Sequence, residues 1–150
     1  MSKTVIILGA SSSIGRLVVD KYISCGWIVL AYCYKNNPFH DVTNKNSIKE
    51  NNLDLSDIDC VTKHLSEANF SNVSSIINCV GKIFPLSYSE SNYEAIIKSL
   101  NINVLAASLF IKKLIPHMIK KRFGRIVHLG SIGVKYGGGM NNYPYALSKH

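Results

Sequence analysis

Acidic residues stop early in this chain. All nine Asp and Glu lie in residues 1–94, and residues 95–150 contain none. Charged residues of both signs make up only 17% of the 150, below the usual quarter, while 47% are hydrophobic. That balance excludes a disordered tail, a coiled coil and a collagen-like fibre. The four cysteines, Cys25, Cys33, Cys60 and Cys79, form no CxxC pair and have no His at ligand spacing. Neither a zinc site nor a disulfide framework is expected; three of the four fall within or beside apolar runs and read as small buried hydrophobes. No apolar run is long enough for a signal-peptide core, and the longest helical one, residues 102–119, is interrupted by Lys112 and Lys113. A reducing, cytoplasmic setting without a membrane partner is the expectation. Internal repeats and low-complexity linkers are absent as well.

The formal charge of +8 arises in residues 95–150, which hold nine Lys and Arg, six of them between Lys112 and Arg125. A nucleic-acid surface would interleave aromatics with such a patch, and only Phe123 does so. A solvated helix face and its exit loop fit better, so no nucleic-acid partner is expected.

What the chain does have is alternation. Apolar runs rich in β-branched residues predict strands at residues 5–8, 27–33, 49–53, 73–80 and 125–129. Helical periods fill residues 14–25 and 91–121, the latter with a break near 101–103 and a bend at Pro116. Ser56 is the expected N-cap of a helix running through Ile58, Val61 and Leu65. A last helix opens shortly before His150. Continuous apolar strands separated by helices predict an α/β fold, a doubly wound parallel sheet in the order 3-2-1-4-5. Its ligand crevice belongs at the carboxyl ends of strands one and four.

Gly9, Ala10, Ser11, Ser12, Ser13, Ile14 and Gly15 fill the turn after the first strand. Glycines let the backbone approach a pyrophosphate, and the helix N-terminus offers N–H groups and a positive dipole end. A tight strand-to-helix turn accounts for the same residues. The second strand runs out at Tyr34 and Lys35. A carboxylate there would hold the ribose hydroxyls of NAD, whereas a cation would pair with the extra phosphate of NADP. No acid lies between Asp20 and Asp41, so NADP is the preferred cofactor and NAD the alternative. A polar strand exit is the plain reading of Lys35.

Ser131 directly follows the fifth strand. Tyr145 and Lys149 are four apart and share one helix face. A tyrosine, with pKa near 10 when unperturbed, becomes a better proton donor and acceptor beside an ammonium, which stabilises phenolate. It can then protonate a carbonyl oxygen as hydride arrives, or take the proton in reverse, while Ser131 holds the same oxygen. Tyr143 is set aside, because Leu147 stands four residues on from it. With eight tyrosines in the chain, the pattern counts only because of its order: glycine turn, Ser after strand five, then Tyr and Lys.

In that order, and over nearly its whole length, the sequence resembles the short-chain dehydrogenase/reductase family, on the side of its shorter, single-domain branch and 3-oxoacyl-[acyl-carrier-protein] reductases. The segment from Gly9 to Gly15 resembles the TGxxxGxG turn, with Leu8 for the usual Thr and Ser13 for the middle glycine. Asp54-Leu55 matches the place of an adenine-contacting Asp. Asn78-Cys79-Val80-Gly81 is similar to the NNAG element that ends strand four and supports the adenine ribose, with Cys79 and Val80 for Asn and Ala. Asn103 matches the helix Asn that holds a proton-relay water. Arg125-Ile126-Val127, with Gly130-Ser131 after it, matches the strand leading to the catalytic Ser. Tyr145 and Lys149 complete the tetrad, and Lys149 would also hold the nicotinamide ribose.

The resemblance implies an NAD(P)-dependent oxidoreductase that moves hydride between nicotinamide and a carbonyl or alcohol, on a small molecule or an acyl carrier. It implies cofactor contacts at Gly9, Ser11, Ser12, Ser13, Ile14, Gly15, Tyr34, Lys35, Asp54, Leu55, Asn78, Val80, Gly81, Tyr145 and Lys149, and no metal. It also implies a homodimer or homotetramer through helix 103–121. The extended, sugar-nucleotide-modifying branch is the rival within the fold. Its TGxxGxxG turn would want glycine at Ser12, and the NNAG-like element with the short gap from Ser131 to Tyr145 favours the shorter branch. A protein that keeps the fold for binding without turnover is the other alternative. Residues 1–150 are expected to be one Rossmann domain, the cofactor half of a fold that usually needs roughly 250 residues. The later strands and the loop that closes the substrate pocket would follow His150.

Overall fold

The computed structural model describes residues 3–34, 39, 41–42 and 45–150. Five strands form one sheet: β1 (Thr4–Leu8), β2 (Ile28–Cys33), β3 (Ile48–Asn52), β4 (Val73–Asn78) and β5 (Arg125–His128). They stand in the order β3-β2-β1-β4-β5, and every neighbouring pair is parallel. The doubly wound order expected from the sequence is therefore the one observed, with strand ends displaced by one or two residues.

Parallel strands covered on both faces need apolar side chains at every position. β1 meets that demand, with Val5, Ile6, Ile7 and Leu8 all fully buried. Its alternate residues feed two core layers. Ile6 and Leu8 join Tyr32, Val61, Phe110 and Leu114 on one face, while Val5 and Ile7 join Val19, Val29 and Ala31 on the other.

The helices are α1 (Ser13–Ser24), α2 (Ile58–Glu67), α3 (Tyr93–Leu100), α4 (Ala106–Lys121), α5 (Gly133–Tyr136) and α6 (Tyr143–Lys149). Ser12 caps α1 by accepting from Gly15 N. The cap of α2 is Asp57, whose carboxylate accepts from Cys60 N at 2.9 Å. Ser56, the expected cap, is already engaged: its N–H and its hydroxyl both donate to Asp54, at 2.8 and 2.7 Å. The break expected near residues 101–103 is a single π turn, Asn101–Leu105, so α3 and α4 make one continuous helix that runs past Pro116. One wide i→i+5 turn absorbs an extra residue without ending the helix. This helix, Tyr93–Lys121, is long and apolar enough to cross a membrane by length and composition alone. Its Ala106, Ala107, Phe110, Leu114 and Met118 are buried in the core beside the sheet.

One expectation needs adjusting here. Only Cys33 and Cys79 are buried; Cys25 and Cys60 are exposed, because one sits at the solvent end of α1 and the other in the outer first turn of α2. Lys112, Lys120, Lys121, Arg122 and Arg125 are exposed, as a solvated helix face and exit loop would be, and Lys113 is half-buried.

Phe110 is the hub of an aromatic cluster. Its ring lies 4.8 Å from Tyr32, 6.1 Å from Phe70 and 6.4 Å from His64. The Tyr32 hydroxyl and His64 Nε2 are 2.8 Å apart, and burial pushes the tyrosine up and the imidazole down from their ordinary values. Phe110→Ala is expected to cost about 3–5 kcal/mol, read by urea unfolding. His64 has a folded-state pKa below its ordinary 6.5, so the unfolded chain takes up the proton first. Its stabilising share is complete above that value and is lost as pH falls through the folded one. Urea midpoints should therefore drop on acidification from about pH 8 to about pH 5, and His64→Gln should flatten that drop.

Candidate active site

Gly9 follows the last residue of β1 and has φ +71°. A Cβ there would lie 3.1 Å from the Val80 side chain and 3.2 Å from the backbone of Cys79 and Val80. Glycine is needed on both counts, and it brings the end of β1 directly against the end of β4. Ser12 closes the turn, its hydroxyl donating to Gly9 O at 2.8 Å and accepting from Gly15 N at 3.0 Å. Gly15 is buried, and a Cβ on it would collide with the Gly9 carbonyl, so α1 can start right over the turn only with glycine there. Ser13 is exposed and has no positive φ; nothing in its backbone asks for glycine. Ile14 is 56% exposed in the same first turn, where N–H groups lack intrahelical acceptors.

A cleft of about 490 Å³ opens at the carboxyl ends of the strands. Gly9, Ser11 and Ser12 form one part of its wall, and Tyr34 follows β2 into it. Asp54 and Leu55 line it after β3, and Val80 and Gly81 after β4. Ser13, Ile14 and Gly15 stand behind the wall, in the first turn of α1. Asn78 is 2% exposed and does not line the cleft. Its amide accepts from Val80 N at 3.1 Å and stands 3.2 Å from His128 Nδ1, so it shapes the turn that carries Val80 and Gly81. Lys35 lies outside the described residues. Sequence reasoning missed Tyr32, Cys33, Lys82, Lys98 and Ile102 on this wall. Lys82 could have been taken from its place next to Gly81, whereas Lys98 and Ile102 arrive only because α3 and the π turn after it pack over the cleft.

A second cleft, of about 310 Å³, is lined by Ser131, Tyr145 and Lys149 with the glycine run 137–139. Ser131 accepts from Gly133 N through its hydroxyl at 3.2 Å. Lys149 Nζ donates to the carbonyls of Val80 at 3.1 Å and Leu129 at 3.3 Å, tying α6 to the ends of β4 and β5. It lies 5.9 Å from the Tyr145 ring centroid, and burial pushes its ammonium down from the usual lysine value. A Cβ on Gly81 would sit 3.8 Å from the Tyr145 hydroxyl. That phenol thus stands where the two clefts adjoin, since Gly81 belongs to the first and Tyr145 to the second. Tyr143 turns away and packs edge-on against Tyr88, with ring centroids 5.0 Å apart.

Asn103, in the π turn, is 5% exposed and lines neither cleft. Its oxygen accepts from Lys82 N at 2.8 Å, and its amide nitrogen donates to Lys82 O at 3.1 Å and to Ser148 Oγ at 2.9 Å. This clamps the backbone just beyond Gly81.

Residues 3–150 match the family model described as short chain dehydrogenase. The chain is 27% identical over 143 residues to a fatty acyl-CoA reductase of Acinetobacter baylyi, covering 88% of this chain and 48% of that protein. It thus spans about half the length of the curated relatives it matches. A short-chain dehydrogenase from Streptomyces avermitilis superposes with a TM-score of 0.86 at 18% identity, over 99% of this chain and 56% of that one. A 3-oxoacyl (acyl-carrier-protein) reductase from Agrobacterium tumefaciens C58 with NADP bound superposes at 0.85 with 20% identity, over 98% and 59%. Within the turn, Gly9→Ala should lower stability by about 1–2 kcal/mol through its left-handed backbone alone, with the approach to Val80 adding to the loss. Thermal and urea unfolding would measure it.

Proposed function

The chain belongs to the short chain dehydrogenase family, and on that premise we propose that it forms the dinucleotide-binding and catalytic part of an NADP-dependent oxidoreductase. The reaction is reduction of a carbonyl group or oxidation of the matching alcohol. The observation that carries this reading is the meeting of two clefts at the Tyr145 hydroxyl, with Lys149 and Ser131 beside it in the second cleft.

The first cleft suits a dinucleotide. Gly9 leaves the backbone bare where a phosphate would approach, Ser11 and Ser12 add hydroxyls, and Ser13, Ile14 and Gly15 supply the first turn of α1. Tyr34, Asp54 and Leu55 would face the adenosine end, and Val80 and Gly81 the ribose beyond it, on a turn held by Asn78. The preference for NADP over NAD rests on the lack of any acid between Asp20 and Asp41 and on the presence of Lys35. When bound, the nicotinamide supplies or accepts the hydride.

Tyr145 then gives its phenolic proton to the substrate oxygen in reduction and takes it back in oxidation. Lys149, whose ammonium is held by the Val80 and Leu129 carbonyls, favours the phenolate and eases that transfer. Ser131 would donate a hydrogen bond to the same oxygen, and Lys149 would also hold the nicotinamide ribose. Asn103 acts as a positioning residue through Lys82. The substrate is a small carbonyl or alcohol compound, or one borne on an acyl carrier. Leu105, Ile115 and Ile119 are exposed on the long helix and offer the apolar face for a homo-oligomer. Residues 1–150 act as one domain in a cytoplasmic setting.

The test is NADPH binding by fluorescence together with carbonyl reduction followed by loss of NADPH absorbance. Tyr145→Phe should lower kcat by about 10²–10⁴-fold with NADPH affinity within about twofold. Turnover by this variant equal to wild type overturns the mechanism, and NADPH binding without turnover by the wild type points instead to a binding protein.

A further inference from the structure

We infer that Ser99 is a positioning residue for Tyr145, acting through a buried hydroxyl–amide network with Ser148 and Asn103; this rests on the catalytic reading above. Ser99 lies in α3, fully buried, and lines neither cleft. Its hydroxyl is 2.9 Å from the carbonyl of Pro144 and 3.3 Å from Ser148 Oγ. Ser148 Oγ lies 2.8 Å from the carbonyl of Tyr145.

Counting protons fixes the direction of each bond. Asn103 Oδ1 accepts from Lys82 N, so its amide nitrogen is the end facing the two serines. That nitrogen has two hydrogens for three acceptors: Lys82 O at 3.1 Å, Ser148 Oγ at 2.9 Å and Ser99 Oγ at 3.2 Å. Lys82 O and Ser148 Oγ are the nearer acceptors and Ser99 Oγ takes at most a shared hydrogen; the amide nitrogen accepts nothing, so both serines keep their own proton for a carbonyl. Ser148 donates to Tyr145 O, and Ser99 donates to Pro144 O. Each polar group in the network is satisfied, the condition under which buried hydroxyls are tolerated.

Lys149 ties down the far end of this helix, α6, and Tyr143 N donates to Leu86 O at 3.0 Å at its start. α6 has seven residues, Pro144 in its first turn, and an N-cap, Asn142, whose side chain makes no capping bond. So short a helix depends on tertiary contacts for its orientation. An apolar residue at position 99 would pack α3 against α6 but would not fix the rotation of α6 about its own axis. Ser99 on the Pro144 carbonyl, together with Asn103 on the Ser148 hydroxyl, does fix it, and that rotation decides where the Tyr145 phenol points. The other end of the network is the backbone of Lys82, next to Gly81 and hence next to that phenol. The cleft wall and the proton donor are thus set against one another by one chain of bonds.

The test measures kcat per NADPH-binding site in wild type, Ser99→Ala and Ser148→Ala. Counting by bound NADPH removes any unfolded fraction from the comparison. Both single variants should lose about tenfold or more in kcat with NADPH affinity within about twofold, because sub-ångström misplacement of a reacting group is costly. The solvent isotope effect on kcat should rise as proton transfer becomes limiting. The double variant should lose little more than either single one, since the two serines act as a unit. Turnover by Ser99→Ala within about twofold of wild type overturns the inference and leaves the catalytic reading standing. If Ser99→Ala does not fold, Ser148→Ala decides in the same way. Absence of turnover in the wild type ends both.

Discussion

β1 has no exposed residue, and the rest of the fold is arranged to keep it so. A strand buried on both faces and both edges must have parallel neighbours, β2 and β4, and a helix layer on each side. Parallel neighbours need crossovers, and right-handed crossovers bring every strand's carboxyl end to the same edge of the sheet. Gly9 then has to meet Cys79 and Val80 at close range, which leaves a groove there and no room for a side chain. The binding edge is in this sense a by-product of hiding one apolar segment.

The edge at the second cleft depends on a weaker element. α6 is short and uncapped, yet it carries both Tyr145 and Lys149. It is held from two sides: Lys149 reaches the carbonyls at the ends of β4 and β5, while Ser99 of α3 and Asn103 of the π turn reach the Pro144 carbonyl and the Ser148 hydroxyl. The π turn contributes by aiming Asn103 inward, at the backbone after β4, where an unbroken α-helix would place the following residues differently. Polar groups on fixed backbone atoms thus join the packing of Pro144 and Tyr143 at this end of the molecule.

Much of this was legible in the residues. Runs of β-branched residues with helical segments between them are enough to predict strand order, because chirality and burial leave few alternatives. Ser131, Tyr145 and Lys149 were found by order and spacing, and they do share one cleft. Local polar competition was harder to see. Ser56 and Asp57 are both good N-caps, and the choice between them was made by the Asp54 carboxylate, which takes both donors of Ser56. Asn103 showed its place but not its partners, since the backbone of residue 82 comes near only in the folded sheet. Likewise, Cys60 sits beside Val61 in sequence and yet faces solvent.

The sequence by itself determined the layer architecture, the binding edge and the types of residue at the site. These follow from periodicity, from glycine at a left-handed position and from a Tyr–Lys pair four residues apart, all of which are local. Only the tertiary structure decided which side of Asn103 faces which atoms, that Ser99 belongs to the helix of Tyr145, and that Lys98 and Ile102 wall the first cleft. Those relations link residues tens of positions apart by hydrogen bonds whose direction depends on helix rotation. No pattern of neighbours in the chain encodes that rotation, because it is set only when two helices and a sheet edge come into contact.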